Sequence, residues 1–364
     1  MPHLRFETHF QSDGLPVPAH KRIVVAASGG SDSLALLYLL HDWQLRSETR
    51  PELFIATVDH GLRPEAAEEA NFVTKICNKI GLSHATLHWK RQDDTPVSSE
   101  NAREARYELL CGYAQRVNAT CVVLGHTMDD QAETLIMRAA RKGSTRGLSG
   151  MPLTAHYASP SWRVSLFRPL LGVRRIQLQD HLSGLGVVWI NDPSNENIDA
   201  ERVRVRKLWV ESDLVPSVSQ VARLADLSGR LRSCLSNRTA GLLAHLAEIE
   251  PVDNGPLQET KYLLRPLVYG FELDFSRPEI SGAFAILIMA AGGKSYRVPH
   301  EKLEPLIDGY LLGRRVRLAL GRCLVTTGKH GARFEREQRN LEPVPEVTNH
   351  PVLYDGRWLM AANQ

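Results

Sequence analysis

Over the first 140 residues, short apolar runs alternate with stretches whose apolar positions recur at helical spacing. Arg22 to Ala27 (Arg-Ile-Val-Val-Ala-Ala) predicts a buried strand, and Asp32 to Leu45 a helix. Glu52 to Val58 predicts a second strand; the helix after it, Pro64 to Ile80, has proline at its start and Gly81 at its end. Ser83 to Trp89 predicts a third strand, and Ser99 to Val117 a helix with Ala102, Ala105, Leu109 and Ala114 along one side. Thr120 to Leu124 predicts a fourth strand, before a helix from Thr127 to Ala140. Repeated strand–helix units with strands apolar on both faces predict an α/β fold, a doubly wound and mostly parallel sheet. Ligands bind such sheets beyond the carboxyl ends of the strands, so the residues just after each strand are the candidates for chemistry.

Past Gly143 the alternation stops. Residues 143–170 are rich in Gly, Ser and Pro and predict a long loop. A short helix from Val173 to Ser183, a strand from Val187 to Ile190 and a helical region from Ala200 to Leu246 follow. Glu250 to Gly255 reads as a linker. The last hundred residues mix helix (Pro278 to Ala291, His300 to Gly309) with strand (Arg314 to Leu320, Cys323 to Thr326), a small α+β part. The tail from Glu342, with Pro343, Pro345 and Pro351, reads as irregular. The expected organisation is a nucleotide domain over 1–210, a helical substrate region over 211–255 and a C-terminal part over 256–364.

A length of 364 residues fits about two domains. With 43% hydrophobic and 23% charged residues, a disordered, collagen-like or coiled-coil chain is excluded. The apolar run Ala283 to Ala291 falls short of the roughly 20 residues needed to cross a bilayer. The first eighteen residues hold no apolar h-region, so a cytoplasmic protein is expected. Cys77, Cys111, Cys121, Cys234 and Cys323 include no C-x-x-C pair, which argues against a disulfide framework and a cysteine-ligated metal; all five read as buried apolar side chains. The net charge of +3 hides an asymmetry: Arg138 to Arg238 holds 16 basic against 8 acidic residues, and Lys294 to Arg339 holds 11 against 5. Two basic blocks beside an acidic remainder suit a polyanionic partner.

Three segments carry candidate chemistry. After the first strand, Ser28-Gly29-Gly30-Ser31-Asp32-Ser33 runs into a helix. Two glycines allow a tight turn with outward N–H groups, and the helix N-terminus adds positive potential; together they make a phosphate cradle. The plainer alternative is a capped Gly-Gly turn, which the full order of strand, hexapeptide and helix disfavours. After the second strand, Asp59 and His60 lie at the ligand edge, where an ordinary polar turn is an equal alternative. After the fourth, His126, Asp129, Asp130 and Glu133 stand at i, i+3, i+4 and i+7, one face of a helix. Such a cluster suits Mg²⁺ handling or recognition of a cationic substrate; the bland alternative is a solvated acidic first turn. Between them, Arg103 and Arg106 share a helix face, as an anion contact or as ion pairs with Glu100 and Glu104.

Ser-Gly-Gly-x-Asp-Ser after a first strand resembles the PP-loop of the N-type ATP pyrophosphatases, which split ATP into AMP and pyrophosphate while activating an oxygen. The series Asp59-His-Gly-Leu-Arg63, Glu100-Asn-Ala-Arg103, His126-x-x-Asp-Asp-x-x-Glu-Thr134, Gly147-Leu-x-x-Met151, Arg168-Pro-Leu-Leu171 and Trp189-x-x-Asp-Pro-Ser-Asn195 is similar to the bacterial tRNA(Ile)-lysidine synthetase family over about residues 20–210. The resemblance implies an ATP- and Mg²⁺-dependent ligase. ATP would adenylylate the C2 oxygen of the wobble cytidine in a CAU-anticodon tRNA(Ile), and the ε-amine of free lysine would displace AMP. It implies that Ser28, Gly29, Gly30, Ser31, Asp32, Ser33, Asp59, His60 and Arg103 bind the nucleotide. Asp32 and Asp130 would hold the metal. Asp32, His126, Asp129, Asp130 and Glu133 would serve catalysis, and Glu133, Asp192, Asn195, Arg202 and Arg206 the substrates. The chain departs from the family at Arg141 to Arg146, where the glycines are shifted, and at Val203, where Asn is usual. Two alternatives stand beside this reading. Cytidine thiolation by a related enzyme is weakened by the missing cysteine pair; a silent nucleotide-gated tRNA-binding protein is weakened by the intact carboxylates. Oligomeric state is left open between monomer and homodimer.

Overall fold

The computed structural model describes residues 22–46, 51–61, 65–90, 98–140, 149–159, 162–191, 203–206, 217–250, 261–265, 275–293, 298–337, 352–354 and 358–360. The chain divides into two compact units, 1–229 and 230–364.

In the first unit, β1 (Arg22–Ala26), α1 (Ser31–Arg46), β2 (Glu52–Asp59), α2 (Glu65–Ile80), β3 (Ser83–His88), α3 (Ser99–Arg116), β4 (Cys121–Val123) and α4 (Met128–Ala140) alternate as the pattern predicts. The sheet order is β3-β2-β1-β4-β6-β5, with β5 (Thr154–Ser159) and β6 (Trp162–Phe167) completing it. Strands β1 to β4 and β6 are mutually parallel, and β5 pairs antiparallel at one edge. Alternate residues of β1 feed two cores, Ile23 and Val25 on one face, Val24 and Ala26 on the other. Burying such side chains fully contributes about 2 kcal/mol each, which makes this sheet the rigid floor of the unit. The chain leaves β1 toward β2 on one side and returns to β4 on the other. The ends of β1 and β4 therefore open the crevice where a doubly wound sheet binds ligands.

Two expectations for this unit are corrected. The segment 143–170 is not all loop: β5 and β6 form a hairpin inside it, and β6 joins β4 in parallel. Short runs such as Trp-Arg-Val-Ser-Leu-Phe are too broken by polar residues to show against a Gly/Ser/Pro background, and pairing with β4 supplies what propensity lacks. Val187 to Ile190 forms no strand. It runs as irregular chain past the end of α5 (Arg175–Gly184), and the Ile190 N–H donates to the Gly29 carbonyl at 2.9 Å. Ile190 lies against the loop after β1, its Cδ1 3.0 Å from a Cβ placed on Gly29, whose φ is +79°, while Val187 and Trp189 pack on the core and Val188 is exposed.

In the second unit a five-stranded antiparallel sheet, β7 (Ala247–Glu250), β8 (Lys261–Leu264), β9 (Arg317–Leu320), β10 (Cys323–Gly328) and β11 (Gly331–Arg336), has the order β7-β8-β11-β10-β9. The long helix α6 (Val218–Leu246) spans the boundary of the units in sequence. One core joins α6, α7 (Arg277–Gly292), α8 (Glu304–Leu311) and the sheet, with Phe284 against Phe334 at 5.1 Å between ring centroids. The burial along β10 alternates, as expected of a sheet covered on one face. Here too the pattern is corrected. Glu250, the first residue of the expected linker, closes β7, and the rest of that linker, 251–255, lies outside the described residues; β8 and β11 were not predicted, and His300 to Lys302 is a 3₁₀ turn preceding α8. Val352–Tyr354 pairs with Trp358–Met360 inside the tail read as irregular. Cys234 is exposed, while Cys77, Cys111, Cys121 and Cys323 are buried as expected. Among the described residues no helix is long and apolar enough to cross a membrane.

Candidate active site

The loop after β1 is braced from within. Ser33 Oγ accepts the Ser28 N–H at 3.0 Å and donates to the Gly30 carbonyl at 3.0 Å, so this hydroxyl shapes the turn. The first N–H groups of α1, which begins at Ser31, have no acceptor inside the helix and carry the positive end of its dipole. The end of β4 presses close to this turn: a Cβ on Gly125 would lie 3.2 Å from the Asp32 carbonyl oxygen and from Ser33 Cα. Any side chain there would force the segment after β4 and the first turn of α1 apart by a few tenths of an ångström.

Beside the loop lies a nest of ion pairs. Asp32 Oδ2 accepts from Arg175 Nε at 2.8 Å, and Asp130 Oδ1 from Arg175 Nη2 at 3.2 Å. Glu133 Oε1 stands 3.8 Å from Arg175 Nη1 and accepts from Arg206 Nε at 2.5 Å. Asp130 Oδ2 accepts the Thr127 N–H at 2.8 Å and its hydroxyl at 3.0 Å. These donors explain opposite behaviour around one guanidinium. Burial works against the charge on every carboxylate here. At Asp130, Arg175 and the Thr127 donors outweigh it, and the carboxyl is held below its ordinary value. At Asp32 burial prevails over Arg175, and at Glu133 over Arg206, so both are pushed up. Burial also opposes the Arg175 charge, yet Asp32 and Asp130 hold it more firmly protonated than a free guanidinium.

The helix carrying these carboxylates begins at Met128, so His126 precedes it and does not share its face. Asp129 and Asp130, consecutive on the helix, point about 100° apart. Asp129 turns to the start of α5, taking the Arg175 N–H at 2.8 Å and Arg174 Nε at 3.2 Å. His126 is half-buried, its buried Nδ1 has no partner among the described residues, and burial together with Arg106 lowers its pKa to about 3, so the ring is neutral. His60 likewise has an unpartnered buried Nδ1; its ring meets Trp89 edge-on at 5.8 Å, and burial lowers its pKa. Asp59 accepts the Gly61 N–H at 2.8 Å and faces His88 Nδ1 at 3.3 Å on the neighbouring strand. Arg103 lies over the Tyr107 ring at 5.0 Å.

Of the residues singled out in the sequence, the fold therefore brings Asp32, Asp130, Glu133 and Arg206 into one cluster, with His126 beside Asp130. Asp59 and His60 lie at the carboxyl end of β2, on the same sheet edge, and Arg103 projects from α3 near enough to His126 to bear on its charge. Asp192, Asn195 and Arg202 lie outside the described residues, as do Leu62 to Pro64 and Gly147-Leu148. Val203, standing where the family has Asn, is buried. Sequence reasoning missed Arg174 and Arg175. A signal was present: two adjacent arginines open α5, where the helix dipole disfavours cations, so carboxylates had to face them.

The sequence profile of the PP-loop domain matches residues 3–212. A tRNA(Ile)-lysidine synthase of Brucella melitensis biotype 2 is 37% identical over 346 residues, covering 93% of this chain and 73% of that protein. Its counterpart in Brucella anthropi is 35% identical over 347 residues, with the same coverage. Among solved structures, a U34-tRNA thiolase of Methanococcus maripaludis overlays 58% of this chain and 72% of its own, at 17% identity and a TM-score of 0.48, too loose a likeness to bear on chemistry. A matched domain holding the phosphate loop and the carboxylate cluster, with relatives alike over nine-tenths of the chain, places this protein in the PP-loop family and, within it, among the tRNA(Ile)-lysidine synthases.

Proposed function

We propose that this enzyme attaches free lysine to C2 of the wobble cytidine of a CAU-anticodon tRNA(Ile), consuming ATP and releasing AMP and pyrophosphate, in the cytoplasm. The observation that carries this reading is the sharing of Arg175 between Asp32, on the phosphate loop, and Asp130 and Glu133. A phosphate site and a cation site thus adjoin, as a reaction joining a nucleotide to an amine requires.

The loop Ser28 to Ser33 binds the ATP phosphates, with Ser33 holding its shape and the N-terminal N–H groups of α1 facing the charge. Asp32 and Asp130 converge on one cation in the structure, which fits Mg²⁺ held by two carboxylates with phosphate oxygens supplying further ligands. When bound, Mg²⁺ neutralises the phosphates and the developing charge on pyrophosphate. His126 and His60, held neutral by burial, stand beside the nucleotide and cytidine without adding charge. Glu133, whose carboxyl burial raises, receives the lysine ammonium and takes its proton as the amine attacks C2; Arg206 orients it. Asp129 fixes α5 and with it Arg175, a positioning role. Asp192, Asn195 and Arg202 are assigned to the substrate side on the family motif alone. The two basic blocks meet the tRNA backbone.

Thiolation finds no support in the site: Cys77, Cys111, Cys121 and Cys323 are buried, and Cys234 stands alone on α6. The test is retention of radiolabelled lysine on a filter with purified protein, ATP, Mg²⁺ and tRNA(Ile) transcript. Lysine on that tRNA and not on a CAU-anticodon tRNA(Met) is expected. ATP–pyrophosphate exchange without incorporation would retain the PP-loop and overturn the acceptor.

A further inference from the structure

Arg175 is the one member of the cluster to which the reaction above gives no part. Its guanidinium turns Nε to Asp32, Nη2 to Asp130 and Nη1 to Glu133. The contacts with Asp32 and Asp130 occupy the same oxygens that a divalent cation would need.

We infer that Arg175 is a movable counter-cation: in the ligand-free site it stands where the metal binds between Asp32 and Asp130, and it turns to the phosphate oxygens when metal and nucleotide arrive together. The inference rests on the nucleotide-site reading above. Three observations lead to it. The backbone is anchored independently of the guanidinium: the Arg175 N–H is fixed on Asp129 and Arg174 is clamped to the same carboxylate, while the Arg175 side chain is 24% exposed on a flexible stem. The guanidinium sits at the N-terminus of α5, a place unfavourable for a cation, so the carboxylates alone keep it there. Thirdly, Asp32 belongs to the phosphate loop, so an arginine hydrogen-bonded to it lies within one side-chain swing of any phosphate held by that loop. Arginine also matches phosphate as well as it matches carboxylate.

Charge decides the order of events. Asp32, Asp130 and Glu133 face Arg175 and Arg206, with Asp129 already engaged by Arg174. A bare divalent cation entering this nearly balanced cluster would strand the Arg175 charge at a helix N-terminus. The same cation arriving with a polyphosphate gives that charge a new partner. Metal and nucleotide then bind as a coupled pair, each weak without the other.

The test needs no tRNA. Mn²⁺, as a probe for Mg²⁺, is titrated into the nucleotide-free full chain and followed by electron paramagnetic resonance; affinity for a non-hydrolysable ATP analogue with Mg²⁺ is measured in parallel. Arg175→Met should bind Mn²⁺ at least about tenfold more tightly than the unaltered protein and the analogue at least about tenfold more weakly. These are opposite signs, whereas a merely structural arginine would weaken both. Mn²⁺ affinity unchanged or lowered in a variant with a native circular dichroism spectrum overturns the proposal. Arg175→Lys guards against misfolding of the first variant. Its single point charge cannot span both carboxylates, so Mn²⁺ should bind severalfold more tightly than to the unaltered protein, and no gain there also overturns the proposal. Lysine incorporation by the unaltered protein tests the functional reading separately: activity without the Mn²⁺ pattern removes Arg175's role and leaves the reaction standing.

Discussion

Glu133 in the first unit and Glu279 in the second are both almost wholly buried glutamates paired with an arginine, their side chains 2% and 5% exposed. Their carboxyls are nonetheless displaced in opposite directions, Glu133 upward and Glu279 downward. Burial raises both. Glu279 sits at the third position of α7 in a capping box, where it accepts the Ser276 N–H at 2.6 Å, the Ser276 hydroxyl and Arg238 Nε. Those donors reward the ionised form. Glu133 has arginine donors only and has Asp130 as a like-charged neighbour, so its ionised form is held less well. A carboxylate satisfied on all sides fastens a helix. One left partly unsatisfied keeps a capacity for a proton or an ammonium group, which is what a reaction uses.

Several substitutions would break or sharpen that contrast. The largest effect is expected from Asp32→Ala, which removes the loop's carboxylate: adenylylated tRNA should not form in a single-turnover experiment, while thermal stability stays near that of the unaltered protein. Normal lysidine formation by this variant would sink the phosphate-site assignment. Glu133→Gln keeps the shape and loses the base, so lysine transfer should fall by about a hundredfold or more with adenylylated tRNA still accumulating. Failure to form that intermediate would instead assign Glu133 to the ATP site. Gly125→Ala should weaken ATP binding about tenfold, because the added methyl group meets the backbone at Asp32 and Ser33 and the loop must give way. An unchanged ATP affinity would mean that the approach of β4 does not shape the loop.

In the second unit the readout is stability. Glu279→Gln should cost about 2 kcal/mol in urea unfolding at neutral pH, more than Glu133→Gln, which still accepts from Arg206. The pH dependence has a fixed sign. The folded-state pKa of Glu279 lies below its ordinary value, so its contribution is fully present above the unfolded carboxyl's pKa and disappears as pH falls through the lower, folded one. The stability gap between the unaltered protein and Glu279→Gln should therefore close in acid. A gap independent of pH from neutral to acid would refute the ionic account of this cap.

Some parts of the molecule are legible because their causes are local. The run Arg22 to Ala26 makes a strand wherever it is buried, and Ser28 to Ser33 followed by apolar helical spacing makes a turn and a capped helix. The βα repeat and its right-handed crossovers then leave few sheet orders open, so the crevice after β1 and β4 could be located before any coordinates. The hairpin β5–β6 escaped this logic: its strands gain stability from the edge of a sheet already formed, a partner that spacing does not reveal. The run Val187 to Ile190 misled in the opposite sense, for an apolar tetrapeptide covers a loop as readily as it joins a sheet.

The sequence by itself determined the class of fold, the Gly-Gly loop after β1 and the helix that follows it, since each depends on residues within a turn or two of one another. Tertiary structure alone decided who neutralises whom. Asp32 meets Arg175 across 143 positions and Glu133 meets Arg206 across 73, while Asp129 and Asp130, adjacent in the chain, part company to serve a helix start and a site. The physical reason is that charge pairing at a buried site depends on distance and burial in space. Neither is a function of spacing along the chain, and helical geometry turns consecutive side chains toward different neighbours.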